Sequence, residues 1–182
     1  MARTPSEMIP LGQPAAPFRL QDPAGKTWSL DDFTSAPGLL VAFICNHCPY
    51  VKHLADELAA FGREYGEKGL AVVAINANDY DKYPDDAPPA MLEEARLRGY
   101  TFPYLVDETG DVAKSYGAAC TPDFFLFDSK QELVYRGQFD SSRPGSGTAD
   151  GQDLRLAADA VLRREAPSPD QKPSIGCNIK WR

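Results

Sequence analysis

The stretch "GLLVAFIC", Gly38 to Cys45, is a continuous apolar run of strand length with no polar side to show to water. Such a strand belongs inside a sheet that is covered on both faces. The residues that follow, "NHCPYVKHLADELAAFGREYGEKG", place Val51, Leu54, Leu58, Phe61 and Tyr65 at helical spacing, and Gly69 is a natural stop. "LAVVAIN" is then a second buried strand. Strand, helix and strand in this order predict a βαβ unit with a parallel pairing. The chain is thereby committed to an α/β architecture, and a Cys-x-x-Cys pair, Cys45 and Cys48, stands at its strand-to-helix junction.

The remaining pattern extends this unit. "FRLQDPAGKTWSL" alternates apolar and polar residues around "DPAGK" and predicts an N-terminal β-hairpin. Ahead of it, Pro5, Pro10 and Pro14 predict an irregular arm. "ANDYDKYPDDAPP" reads as a solvated surface excursion, since its carboxylates lack the spacing of a calcium loop, and Tyr80 and Tyr83 are its candidates for packing over a cleft. A helix after Pro88-Pro89 and a short strand and helix in "FPYLVDETGDVAKSYGA" come next, then an antiparallel hairpin of "DFFLFD" and "LVYRGQF". The helix "QDLRLAADAVLRRE" completes one domain over residues 1–165. Residues 166–182 carry three prolines and predict an irregular tail, but Ile175, Ile179 and Trp181 are too apolar for a free one, so the tail should dock on the domain.

Charge and composition remove several functions. A net charge of -7 argues against nucleic acid, which needs a basic surface. No apolar run approaches the roughly 20 residues of a membrane helix, and the N-terminus lacks the apolar core of a secretory signal. A cytoplasmic location is expected. Four cysteines in 182 residues are too few for a disulfide scaffold, and in a reducing compartment a close pair is catalytic or metal-binding more often than structural.

Cys-x-x-Cys alone is compatible with a metal, a structural disulfide or a redox dithiol. Its place at a helix start favours the dithiol, because unpaired amides and the helix dipole stabilise a thiolate there. A zinc site would need Cys120 or Cys177 to converge at a spacing typical of no ribbon or finger, and no metal is expected. His47 either tunes the thiolates or is simply solvated. Cys120 and Cys177 are each open between packing and an auxiliary redox role, Cys177 as a resolving thiol carried by the tail.

"CTPDFF" places Pro122 at the start of a strand, where a residue without an amide proton belongs. With this proline and the Cys-x-x-Cys junction together, the chain resembles the thioredoxin fold, a central mixed β-sheet flanked by helices, from about Phe18 to Glu165. The resemblance implies that Pro122 is cis and that Thr121 pairs through its backbone with a substrate chain. It also implies that Cys45 attacks a disulfide and Cys48 resolves it. The partners would be protein or small-molecule thiols and disulfides, with no cofactor. Asn46-His47 differs from the Gly-Pro of thioredoxin and is similar to the Pro-His of periplasmic thiol oxidases, which implies a weaker reductant. Thioredoxin's buried aspartate position is Leu39 here.

The hairpin and the long insert resemble those of peroxiredoxins and membrane-tethered thiol reductases. "FICNHCPYVK", "INANDYDKYPDD", "YGAACTPDFFLFD", "YRGQFD" and "PSIGCNIKW" are similar to a peroxiredoxin-like, AhpC/TSA-related subfamily. That implies a second reading, a thiol peroxidase with Cys48 as the peroxidatic cysteine. Against it, Val41 and Cys45 occupy the proline and threonine positions of the peroxidase signature, and only Arg136, on the next strand, is near the expected arginine. A non-catalytic redox-sensing module is the third reading.

Overall fold

The computed structural model describes residues 3–182, so Met1 and Ala2, at the start of the N-terminal arm, lie outside the described residues. In chain order the strands are β1 (Arg3–Pro5), β2 (Arg19–Gln21), β3 (Thr27–Ser29), β4 (Leu39–Phe43), β5 (Ala71–Asn76), β6 (Tyr104–Val106), β7 (Cys120–Thr121), β8 (Asp123–Phe127), β9 (Leu133–Gly137) and β10 (Ile175–Asn178). The helices are α1 (Pro49–Glu67), α2 (Pro88–Arg98), α3 (Asp111–Tyr116) and α4 (Gln152–Leu162).

Seven strands form the main sheet in the order β3-β2-β6-β5-β4-β8-β9. The β4–β5 and β5–β6 pairs are parallel and the others antiparallel, so the sheet is mixed. β4 lies between β5 and β8. Leu40 and Ala42 join one apolar cluster, with Leu54, Leu58 and Phe61 of α1 and Leu154 and Ala158 of α4. Leu39, Val41 and Phe43 join the other, with Phe18, Ala113, Tyr116 and Phe125. Both faces are covered, which is why β4 carries no polar residue. Phe61 is fully buried, and truncating such a ring to alanine costs about 3–5 kcal/mol.

Two expectations from the sequence change. The N-terminal arm and the tail are not irregular throughout. β10 runs antiparallel to both β1 and β7, giving a second, three-stranded sheet. Pro5 ends β1, and Pro173 precedes β10 rather than interrupting it, so neither removes a central ladder bond. The acidic excursion is not fully solvated either: Asp79 and Asp86 are buried. The backbone turns inward at a short 3-10 turn, Pro84–Asp86, that brings the Asp86 carboxylate under the domain surface.

Candidate active site

The site is assembled where β4 ends. The amide of Ile44 still bonds the Ile75 carbonyl at 3.0 Å, and the chain then leaves the sheet through Cys45, Asn46 and His47. Cys48 is the N-cap of α1, with extended backbone angles (φ -71°, ψ 125°) and Pro49 in the first turn. Proline fits there because its missing amide proton has no helical acceptor. The opposite wall is the Thr121–Pro122 peptide, which is cis. Thr121 Oγ1 lies 3.3 Å from Cys45 Sγ, and its carbonyl oxygen lies 3.3 Å from Cys48 Sγ.

The two sulfurs meet different surroundings. Cys48 is held well below the usual thiol range, first by the Cys45 thiol donating to it and then, against the cost of burial, by the Cys177 thiol and the amides of Val51 and Cys177. Cys45 is held well above that range, because it is the donor to Cys48, is buried, and faces the charge of Asp86. The helix dipole acts in the same sense as the donors on Cys48.

Asp86 is the residue that the sequence did not single out. Its Oδ1 accepts the Asn46 amide at 2.7 Å and Asn76 Nδ2 at 3.1 Å, and its Oδ2 accepts Asn78 Nδ2 at 3.0 Å and pairs with His47 Nδ1. These donors keep the carboxylate ionised although burial opposes it. The same hydrogen bond raises His47, and the His47 ring stacks on Tyr83 at 5.4 Å. Tyr104 extends the network, donating to Asn46 Oδ1 at 2.9 Å. One clue was present in the sequence: Asn76 ends an otherwise apolar strand and Asn78 follows just beyond it, where buried amides need a partner. Nothing local distinguished Asp86 from its neighbour Asp85.

Donor atoms of Cys45, His47 and Asp86 lie within 4.8 Å of one another, a set able to hold a metal ion. Both carboxylate oxygens and the near ring nitrogen are already engaged in hydrogen bonds, however, and the set is satisfied as a network. His53, elsewhere on α1, bonds Ser142 Oγ at 2.8 Å.

A family model described as "AhpC/TSA family" matches residues 11–136. The chain belongs to the AhpC/TSA family. A crystal structure of a hypothetical protein from Sinorhizobium meliloti 1021 is 51% identical, with a TM-score of 0.97 over 98% of this chain and 98% of that one. A conserved protein from Geobacillus kaustophilus is 48% identical, with a TM-score of 0.97 over 100% of this chain and 97% of that one. A "Thiol-disulfide oxidoreductase ResA" of Bacillus thuringiensis subsp. konkukian (strain 97-27) is 26% identical over 131 residues, 72% of this chain and 71% of that protein. The fold of this AhpC/TSA protein is thioredoxin-like, as in the more distant peroxidoxin BcpB of Mycobacterium tuberculosis (20% identity, TM-score 0.63, covering 85% of this chain and 96% of that one).

The other sequence-chosen residues in this AhpC/TSA protein divide by position. Cys177 reaches the pair: its Sγ is 2.7 Å from Cys48 Sγ. Cys120 is fully buried one residue before Thr121, directs its thiol at the Pro122 carbonyl 3.6 Å away, and is raised strongly by burial. Arg136 does not point its guanidinium at the cysteines; Nε donates to the Ile9 carbonyl at 2.7 Å and Nη1 to Gln171 at 2.8 Å. No helix among the described residues is long and apolar enough to cross a membrane.

Proposed function

We propose that this protein is a thiol–disulfide oxidoreductase acting on protein or small-molecule disulfides, with Cys48 as the exchange sulfur and Cys45 as a partner thiol. The observation that carries this reading is the N-cap position of Cys48, with two thiols and two backbone amides directed at its sulfur. Sulfur ionised at the exchange site is the nucleophile in thiol–disulfide chemistry. The Cys48 thiolate attacks a substrate disulfide, the new mixed disulfide forms, and the departing sulfur leaves as a thiolate that takes up a proton. A neighbouring thiol then attacks Cys48 and releases the second half of the substrate.

The sequence assigned the attack to Cys45. We reverse the two roles because Cys45 is the donor to Cys48, is buried and faces the Asp86 charge, whereas Cys48 takes hydrogen bonds from two thiols and two backbone amides. His47, paired with Asp86 and raised, is suited to exchange protons beside Cys45. The ResA relatives, named as thiol-disulfide oxidoreductases, support the same reaction class. A peroxidase would need a guanidinium directed at the peroxide oxygen, and Arg136 is committed to Ile9 and Gln171.

Reduction of insulin disulfides with dithiothreitol as donor tests the reading. Cys48→Ala is expected to lower turnover by at least about 10³-fold, since loss of a reacting nucleophile leaves only binding and orientation. Wild-type turnover no faster than dithiothreitol alone would reject the reaction class.

A further inference from the structure

The C-terminal strand lies directly over the reactive pair. In register, Cys177 of β10 faces Thr121 of β7, and Arg3 of β1 faces Cys177 from the other side. Cys45, Cys48 and Cys177 are 2%, 0% and 1% exposed, so a substrate disulfide cannot reach the pair while β10 is seated. The strand comes unusually near the site wall. A Cβ on Gly176 would stand 2.0 Å from the Thr121 carbonyl oxygen, so only glycine permits this approach. The 2.7 Å between Cys48 and Cys177 sulfurs is closer than non-bonded sulfurs ordinarily come and not far beyond the roughly 2.05 Å of a disulfide.

The strand is also anchored on both sides of Cys177. Ser174 bonds the Pro122 carbonyl through Oγ at 2.5 Å, and its amide bonds Ser6 Oγ at 2.8 Å. Past Cys177, the Lys180 amide bonds Asn78 Oδ1 at 2.8 Å, and Arg182 pairs with Asp81. One anchor after Cys177 is deep, Ile179 at 1% exposed in the apolar cluster with Phe43 and Tyr116, whereas Trp181 is 39% exposed and Arg182 lies at the surface. The terminal segment is therefore held by two strand pairings, one buried isoleucine and a central sulfur, and lifting β10 draws Ile179 out of its apolar cluster.

We propose that Cys177 is a third redox thiol and that β10 is a latch, which closes the site covalently when Cys177 forms a disulfide with Cys48. This rests on Cys48 being the exchange sulfur. With the strand lifted, the Cys48 thiolate attacks R–S–S–R′; the Cys48–S–R bond forms, the substrate S–S bond breaks, and R′–S⁻ leaves and is protonated. The strand reseats, Cys177 gives up its proton and attacks the Cys48 sulfur, and R–S⁻ leaves with that proton as R–SH. One substrate disulfide has gained two electrons, and Cys48 and Cys177 have lost them. The latch reopens when Cys45 loses its proton and attacks Cys48, forming Cys45–S–S–Cys48 and freeing Cys177 as a thiol.

The test oxidises the reduced full chain with one equivalent of oxidised glutathione, quenches in acid, blocks free thiols with N-ethylmaleimide and maps disulfides by mass spectrometry. The expected result is a dominant Cys48–Cys177 link, retained in Cys45→Ser and replaced by Cys45–Cys48 in Cys177→Ser. Gly176→Ala, which pushes the strand away from Thr121, should lower the Cys48–Cys177 yield about tenfold while Cys45–Cys48 forms. Cys45→Ser cannot pass the link on to Cys45, so a Cys45→Ser map with Cys177 fully blocked and no Cys48–Cys177 link overturns the latch. The insulin assay separates this from the wider reading: turnover without the Cys177 link sinks the latch alone, and the link without turnover sinks the exchange function alone.

Discussion

The two sides of the site each combine a cysteine with a buried carboxylate, and they distribute charge in opposite ways. On the insert side Asp86 is ionised by its hydrogen-bond donors, and Cys45 beside it stays a thiol. On the latch side Asp123 is fully buried and is pushed up to about 7 by that burial, against Ser6 Oγ at 2.9 Å, the Ala119 amide at 3.2 Å and the amides of Phe124 and Cys120. There the negative charge is carried by sulfur, at Cys48. Burial is common to both carboxylates; the kind of partner decides the outcome, an imidazole among the groups at Asp86 and only neutral groups at Asp123. The pair of cysteines is therefore unequal because of what faces each, although their sequence setting is nearly symmetric.

Removing the insert-side carboxylate is the strongest way to break this contrast. Asp86→Ala leaves the Asn46 amide, the Asn76 and Asn78 side chains and the His47 ring without their common acceptor. We expect a loss of about 3–5 kcal/mol in urea unfolding, the range for breaking a buried charged pair. A loss below about 1 kcal/mol would mean that the network is replaceable by water and does not define the site. In the folded fraction, Cys45 should titrate lower than in the wild type, bringing the two thiols closer together.

How far the sequence could anticipate this contrast depends on whether the cause is local. The β4–α1–β5 unit and the β8–β9 hairpin were legible because burial on both faces, or one, is written into consecutive residues such as "GLLVAFIC" and "DFFLFD". The location of Cys45 and Cys48 at a helix start was legible for the same reason. β1 and β10 were not, since their pairing joins Arg3 to Cys177 across almost the whole chain, and prolines nearby argued for irregularity. Asp86 was hidden for a similar reason. It reads as one more acidic residue in a polar loop until the chain closes on Asn46, Asn76 and Asn78. Which cysteine carries the charge depends on these distant groups, so spacing alone could not order the pair.

The latch side makes a pH-dependent prediction of the next size. A carboxyl raised to about 7 in the folded chain, against roughly 4 when unfolded, binds a proton more tightly when folded. Its contribution to stability is fully present below about pH 4 and is lost as pH rises through about 7. The effect should be on the order of 2–4 kcal/mol across that window. Because Asp123 holds Ser6, and Ser6 holds Ser174, the loss should be felt first where the two chain ends meet. Cys48, held low in the fold, works the other way and adds stability as pH rises over the same range, so the reading is the urea midpoint of the wild type minus that of Asp123→Asn, which should fall from pH 5 to pH 8. His47, raised by Asp86, and Cys48 are present in both proteins and cancel in that difference. An unchanged difference would show that the Asp123 carboxyl is charged across the whole range.

The smallest effect bears most directly on the asymmetry of the pair. The Cys45 thiol is the leading cause holding Cys48 low, ahead of the Cys177 thiol and the backbone amides. Cys45→Ala removes that donor and leaves the others, so the Cys48 thiolate should form at higher pH, by about one unit, equivalent to about 1.4 kcal/mol. Thiolate absorbance near 240 nm, followed through a pH titration, should show one wild-type thiolate already formed below neutral pH. That signal should move up in Cys45→Ala and vanish in Cys48→Ala. If it vanished in Cys45→Ala and survived in Cys48→Ala, the charge would reside on Cys45, and the contrast between the two sides would be inverted. If it survived both, the ionised sulfur would be Cys177 or Cys120, which burial argues against on each.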